Sequence, residues 1–150
     1  MLEKASLFLE VYEVNKIFTE LMNKVYAKYK INQVQFLILL YSVEDEEMNV
    51  THLSQKLKLS RSAVSQALVC LQIKKLITRT PAKDNRKVFY VTPTLKAKRI
   101  VKEFKEGYDL FNKKLIEIMG DDKITHLTSL LNVFNDTLIK LNDLKGDMTC

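Results

Sequence analysis

Three runs of apolar residues, each repeating at alternating intervals of four and three positions, constrain this chain more than any other feature. They cover residues 7–25, 97–118 and 127–141. Such intervals place side chains on one face of an α-helix, so each run predicts a long helix with a single apolar stripe. The 150 residues include only 3 Gly and 2 Pro, and folds with many strands need both residue types at their turns. We therefore predict a mainly α-helical chain.

Capping residues divide the region after the first run into shorter helices. The first helix should end near Lys30, and Asn32 should cap a second, heavily apolar helix that stops in the acidic cluster 44–47. Thr51 is the expected cap of a short third helix that ends at Leu57. The second helix is therefore predicted to be buried, and Leu53 and Leu57 of the third helix are predicted to face inward.

A fourth helix and a β-hairpin follow the third helix. Ser60 is a favourable N-cap for a helix over residues 61–75. The segments 77–80 and 87–92 are rich in β-branched and aromatic residues and are separated by turn residues, which predicts two antiparallel strands. Pro93 is expected in the first turn of the next long helix. The predicted fold class is thus mainly α with a small β-hairpin.

Basic residues are concentrated in the middle of the chain. Residues 51–100 contain 12 Lys or Arg and one acid, a net charge of +11, whereas the other 100 residues carry 12 basic and 17 acidic groups. A basic middle segment between acidic ends is typical of a module that binds a polyanion. The alternative is a solvated basic surface without a partner.

The order of elements in this basic segment is that of a winged helix-turn-helix. A short helix, a tight turn, a helix with a polar N-terminal face and a basic hairpin follow one another. An α-helix fits the major groove of B-DNA, where its N-terminal side chains reach base edges and backbone phosphates. The residues predicted to do so are Ser60, Arg61, Ser62, Ser65 and Gln66. The alternative is a helix pair in an ordinary bundle.

The hairpin supplies the other predicted contacts with DNA. Arg79 lies in the first strand, and Lys83, Asp84, Arg86 and Lys87 surround the turn. The narrow minor groove attracts arginine, so Arg86 is expected to enter it, while Asp84 holds the guanidinium in place. A solvated turn with a weak surface ion pair is the alternative.

Residues 59–98 resemble the winged module of the MarR family of bacterial transcriptional regulators. The most specific element is the pair Asp84-x-Arg86 followed by Val91-Thr92. In that family the pair positions the arginine that enters the minor groove. Family members usually have glycine near the end of the fourth helix, where this chain has Lys75. They usually have another shortly after the Leu-Thr pair that corresponds to Val91-Thr92, where this chain has Leu95 and Lys96.

The resemblance implies a homodimer on a pseudo-palindromic operator and a repressor that a small-molecule effector releases. Residues 1–150 would form a single domain, in which 32–92 are the DNA-binding module and 1–30 and 93–145 are dimerisation helices. One small module cannot cover three long apolar stripes, so the stripes are expected to be buried against a second copy of the chain. The alternative is that they pack on each other within a monomer. An effector cleft in this family would be lined by residues that the sequence pattern assigns to the core in preference to a site: Phe18, Met22, Phe36, Tyr41 and Phe104.

Other functions find little support in the sequence. His52 and His126 are far apart and have no neighbouring acid motif, so no enzymatic activity, cofactor or metal site is predicted. Cys70 lies in the fourth helix and is either a small buried residue or a thiol whose oxidation would displace that helix. A helical dimer that interacts with other proteins and does not bind DNA is a further alternative.

Neither end of the chain suggests export. The N-terminus carries Glu3 and Glu10 and lacks the pattern of a signal peptide, which favours a cytoplasmic location with reduced thiols. Residues 146–150 are expected to form a disordered tail.

Overall fold

A computed structural model describes residues 3–83, 85 and 87–146, with side chains from residue 7 to residue 143 in those ranges. It contains six helices and two strands: α1 Glu3–Lys28, α2 Gln33–Glu44, α3 Val50–Leu57, α4 Arg61–Ile73, β1 Ile77–Pro81, β2 Phe89–Pro93, α5 Leu95–Met119 and α6 Asp121–Gly146. The predicted class, mainly α with a small β-hairpin, is confirmed.

Two predicted N-caps are confirmed. The Asn32 side chain accepts a hydrogen bond from the backbone N–H of Gln35 at 2.8 Å, and the Gln35 side chain accepts one from the backbone of Asn32 at 3.4 Å. This reciprocal pair satisfies two N–H groups that the first turn of α2 would otherwise leave unpaired. Ser60 caps α4 by accepting from the backbone N–H of Ala63 at 3.1 Å.

The prediction that Thr51 caps the third helix is wrong. The cap is Asn49, whose side-chain oxygen accepts from the backbone N–H of His52 at 3.0 Å, so α3 begins at Val50. Asparagine is a stronger cap than threonine, and its position places Thr51 inside the first turn.

Pro93 and the predicted C-terminal tail also differ from expectation. Pro93 is the last residue of β2, paired with Ile77, and α5 begins after Thr94. A two-stranded sheet has only edge strands, which tolerate proline. Residue 146 belongs to α6, so the expected tail does not begin there. Residues 147–150 lie outside the described residues.

Three lysines with left-handed backbone follow helices. Lys30, Lys58 and Lys75 have φ values of 54°, 53° and 56°. The fourth helix therefore ends at Ile73 rather than at Lys75. Glycine adopts this conformation without strain, whereas other residues are disfavoured in it. Lys75 thus adopts a backbone conformation that glycine would adopt without strain.

One edge of the hairpin is attached to the segment before α3. Its strands pair from Ile77 with Pro93 to Pro81 with Phe89. The backbone N–H of Val91 donates to the carbonyl of Met48 at 2.7 Å, which joins β2 to the segment before α3.

The described chain forms two compact units, which divide between Glu103 and Phe104. In the first unit, α2, α3, α4, the hairpin and the start of α5 share one core. Its fully buried side chains include Phe36, Ile38, Leu39, Met48, Leu53, Val64, Leu68, Leu71, Leu76, Ile77, Val91 and Val101. This core fixes α4 relative to α2, α3 and the hairpin.

The long helices leave their apolar stripes uncovered within the chain. In α1, Leu7 and Phe18 are 60% and 56% exposed, and in the second unit Ile118 of α5 and Leu131 of α6 are 84% and 54% exposed. Phe18 is therefore not core, in contrast to the buried Phe36. Below, α1, α6 and residues 104–119 of α5 are called the terminal helices.

Candidate nucleic-acid interface

The helix α4 presents the polar face that the sequence predicted. Its inward residues Val64, Leu68 and Leu71 are fully buried. Because these side chains fix the rotation of the helix, Ser62 and Gln66, four positions apart, lie on the opposite, solvent-exposed face. We call α4 the reading helix.

The five predicted residues of the reading helix differ in their freedom to contact a partner. Arg61, Ser62 and Gln66 are exposed, whereas Ser65 is only half-buried. The Ser60 hydroxyl oxygen accepts from the backbone as a cap, so it is held in place at the helix start. The hydroxyl proton remains able to donate to a phosphate.

The exposed face also contains residues that the sequence pattern did not predict to contact DNA. Ala63 is exposed in the first turn, and Val69 and Ile73 are 49% and 75% exposed further along. Small and apolar residues in a helix usually indicate a buried face, so only the exact rotation of the helix could have revealed them. Cys70 is exposed as well, and its interpretation as a small buried residue is wrong.

The short helix α3 stands before the reading helix and is joined to it by a tight turn. Lys58 ends α3 in a left-handed conformation, and its backbone N–H donates to the carbonyl of Gln55 at 3.3 Å. His52 lies in the first turn, where its ring nitrogen Nδ1 is 3.3 Å from the side-chain nitrogen of Asn49. His52 is therefore engaged with the cap of α3.

The turn between β1 and β2, here called the wing turn, has its own local hydrogen bonds. The Asn85 side chain accepts from the backbone N–H of Lys87 at 3.0 Å, and its carbonyl accepts from Val88 at 2.9 Å. These bonds close the turn and leave Lys83 and Lys87 exposed. Asp84 and Arg86, the two residues of the family motif, lie outside the described residues.

Two predicted cationic residues meet around one cavity. A cavity of about 230 Å³ lies between the start of α3 and the hairpin, and both Arg79 and Lys87 line it. The other lining residues carry no charge: Asn49, Val50, Thr51, Leu68, Val88, Phe89 and Val91. Among the described residues, two cations and no carboxylate line this cavity, and their positive potential suits a phosphate group.

Three of the shifted pKa values, those of Lys28, Tyr29 and Glu103, belong to one cluster on the first unit, away from the reading helix in sequence. The Tyr29 hydroxyl donates to the Glu103 carboxylate at 2.8 Å, and the Lys28 ammonium lies 3.3 Å from the same oxygen. The bond from Tyr29, followed by that from Lys28, lowers the pKa of Glu103. Desolvation, aided by Glu103, raises the pKa of Tyr29. This cluster ties the end of α1 to α5.

Two other kinds of site are absent from the described residues. In those parts of the chain, no three His, Cys, Asp or Glu side chains come together as a metal ion would require. No helix among residues 3–83, 85 and 87–146 has the length and apolar character needed to cross a membrane.

Residues 29–87 match the model of the MarR family. The matched segment extends from the end of α1 to the wing turn and includes the whole reading helix, so the family resemblance is confirmed there. A comparison with curated proteins gives no match.

Solved structures agree with this fold. A MarR protein from Peptoclostridium difficile has a TM-score of 0.73 at 19% identity, covering 88% of this chain and 86% of that protein. A MarR family protein from Bacillus stearothermophilus has a TM-score of 0.72 at 19% identity, with coverages of 90% and 94%. S. aureus MepR, solved in complex with DNA, has a TM-score of 0.66 at 17% identity, with coverages of 85% and 96%.

Proposed function

From the MarR-family winged helix at residues 29–87, we propose that this chain is a transcriptional regulator that binds double-stranded DNA sequence-specifically. It acts in the cytoplasm as a homodimer, and it is a repressor that a small-molecule effector releases. Residues 32–92 are the DNA-binding module, and 1–30 and 93–145 supply the dimer helices within one domain.

The observation that carries the proposal is the polar, exposed face of the reading helix. Arg61, Ser62 and Gln66 are solvent-exposed on a helix whose opposite face is fixed by the core. Arginine can donate two hydrogen bonds to guanine, and glutamine can pair with adenine in the major groove. The surrounding charge of +11 over residues 51–100 supplies the attraction to the phosphate backbone.

The hairpin contributes two further kinds of contact. Arg79 and Lys87 line a cavity beside the start of α3 to which no described residue contributes a carboxylate, and this suits a backbone phosphate. Arg86, held by Asp84, enters the minor groove, as the family motif implies. The DNA in the MepR complex supports this proposal by analogy of fold.

The exposed stripes of the terminal helices support the dimer. Leu7, Phe18 and Phe111 of these stripes are 60%, 56% and 46% exposed within one chain. Extended apolar patches on a soluble chain mark interaction surfaces, and a second copy covers identical patches symmetrically. Two modules are then presented to one duplex, with half-sites about one helical turn apart.

Selection of bound sequences from a random duplex pool tests the function. A palindromic consensus with salt-sensitive affinity is expected, because lysine and arginine contacts release counterions. Failure to enrich any sequence, together with no binding in dilute buffer, would contradict the proposal and favour a helical interaction dimer that ignores DNA.

Two substitutions separate the roles of helix and wing. Gln66→Ala should change base preference at one position by about 1–3 kcal/mol. Arg86→Ala should weaken binding to all sequences, with little change in preference. Equal affinity of Arg86→Ala and the wild type in a titration of labelled duplex would contradict the wing assignment.

A redox function has one observation in its favour, the exposure of Cys70 on the reading helix. Cys70 lies one turn after Gln66, so an oxidised side chain there would obstruct the approach to DNA. Peroxide should then lower the affinity of the wild type and leave Cys70→Ser unchanged. Equal effects on both proteins would exclude regulation through this thiol.

A further inference from the structure

One lysine crosses from the end of the reading helix to another part of the first unit. Lys74 is the C-cap of α4, and its ammonium donates to the backbone carbonyl of Lys30 at 2.6 Å and to the side-chain oxygen of Gln35 at 2.9 Å. Gln35 is 94% buried, so this contact is not a loose surface pair. Hydrogen bonds from a charged donor are stronger than neutral ones.

The place that Lys74 contacts is the junction between α1 and α2. Lys30 has a left-handed backbone there, and Asn32 and Gln35 cap the start of α2. The same Gln35 oxygen accepts from Asn32 and from Lys74. A positive group is also favourable near the carbonyls that end α1. Lys74 therefore joins the end of α4 to α2 and to the loop between α1 and α2 at one point.

A second tie holds the same junction to α5. The Tyr29 hydroxyl and the Lys28 ammonium both contact the Glu103 carboxylate. The chain around the end of α1 is thus held from two sides, by Lys74 at the C-cap of α4, which contacts Lys30, and by Glu103 of α5. Since α1 carries an exposed apolar stripe, this junction lies on the path between a pairing surface and the reading helix.

We propose that Lys74 is a positioning residue that fixes the angle between α1 and the reading helix and so sets which half-site spacing the dimer accepts. The inference rests on the proposed function. A tilt of about 10° over the roughly 20 Å length of α4 moves its N-terminus by about 3.4 Å, the rise of one base pair. A small loss of angular restraint at Lys74 therefore matters at the scale of operator spacing.

The test measures affinity against operators that differ only in spacing. The selected operator is prepared with one base pair inserted or deleted at its centre, which displaces one half-site by about 3.4 Å and rotates it by about 34°. The wild type should lose about tenfold or more in affinity on either change. Lys74→Met should lose about threefold or less at each spacing, because its two reading helices adjust independently.

Neighbouring residues provide matched variants. Lys75→Met removes the same charge one position later, where the side chain is exposed, and should keep the sharp spacing preference of the wild type. Lys74→Arg retains a charged donor and should also keep it. Gln35→Met removes the acceptor of the hydrogen bond from Lys74 and should flatten the spacing preference as Lys74→Met does. It provides a second variant should Lys74→Met fail to fold.

Spacing preference separates positioning from simple destabilisation. A lysine that only stabilised the fold would, when replaced, lower affinity equally at every spacing, and this result overturns the proposal while leaving DNA binding intact. An unchanged profile for Lys74→Met and Gln35→Met also overturns it. If the wild type itself selects no operator, the proposed function fails as well.

Discussion

The winged module and the terminal helices use similar apolar patterns with opposite outcomes. In the module, Leu53, Leu68 and Val91 are fully buried by neighbouring elements of the same chain. In the terminal helices, residues of the same type, such as Leu7 and Ile118, are more than half exposed. The module therefore possesses its own core, whereas these residues of the terminal helices are not covered within the chain.

This difference shows what a periodic pattern can establish. An interval of four and three residues identifies the apolar face of a helix, but it does not identify what covers that face. In the module, short helices and tight turns return the chain on itself. In α1, which has 26 residues, and in α6, also 26 residues, length prevents a small module from covering the whole stripe.

The largest expected effect is in the module core. Leu68→Ala should lower the free energy of unfolding by about 2–5 kcal/mol, because it leaves a cavity among buried side chains. Val69→Ala, one position along and about half exposed, is the matched control and should change it by about 0.5 kcal/mol or less. Urea unfolding at one protein concentration measures both, and equal effects would contradict the burial of α4.

The second effect concerns the uncovered stripe of α1. Phe18→Glu should raise the dimer dissociation constant at least tenfold, about 1.4 kcal/mol, because pairing would bury a carboxylate. Lys16→Glu on the opposite face changes the charge more but should leave the dimer intact. Sedimentation velocity across a dilution series measures both, and a dimer equally stable in both variants would remove α1 from the pairing surface.

A third, smaller effect tests the local backbone of the module. Lys75→Gly should raise the free energy of unfolding by about 1 kcal/mol, because glycine adopts a φ of 56° without strain. The Lys75 side chain is exposed, so few side-chain contacts are lost. Thermal unfolding of wild type and variant measures the change, and a lower melting temperature for Lys75→Gly would contradict the left-handed turn.

The smallest effect is a pH dependence at the tie between α1 and α5. The pKa of Glu103 is lowered in the folded chain, so its contribution to stability is present above the unfolded pKa and is lost as pH falls through the folded pKa. Glu103→Gln should therefore reduce the loss of stability below about pH 4.3. Melting temperatures between pH 3 and 6 measure it, and parallel curves for wild type and variant would contradict the tie.

Much of the fold followed from the sequence because local rules determined it. Asn32 and Ser60 are strong caps, and both begin the helices predicted from them. The errors arose where a competing residue or tertiary contact decided the outcome. Asn49 displaced Thr51 as a cap, and strand pairing with Ile77 retained Pro93 in the hairpin.

The candidate site was predictable in its type but not in its details. Polar residue types and charge indicated the exposed face of α4, including Arg61 and Gln66. The exposure of Ala63 and Cys70 depends on helix rotation, which the core sets. The contact of Lys74 with Lys30 spans 44 positions, and no local sequence pattern predicts it.

The pairing of two reading helices on one duplex is tested most directly by native mass spectrometry of the protein with its selected operator. Two chains bound to one duplex are predicted, with both half-sites of the palindrome required for that mass. A complex of one chain with a full operator, or free protein beside free duplex at low salt, would contradict it.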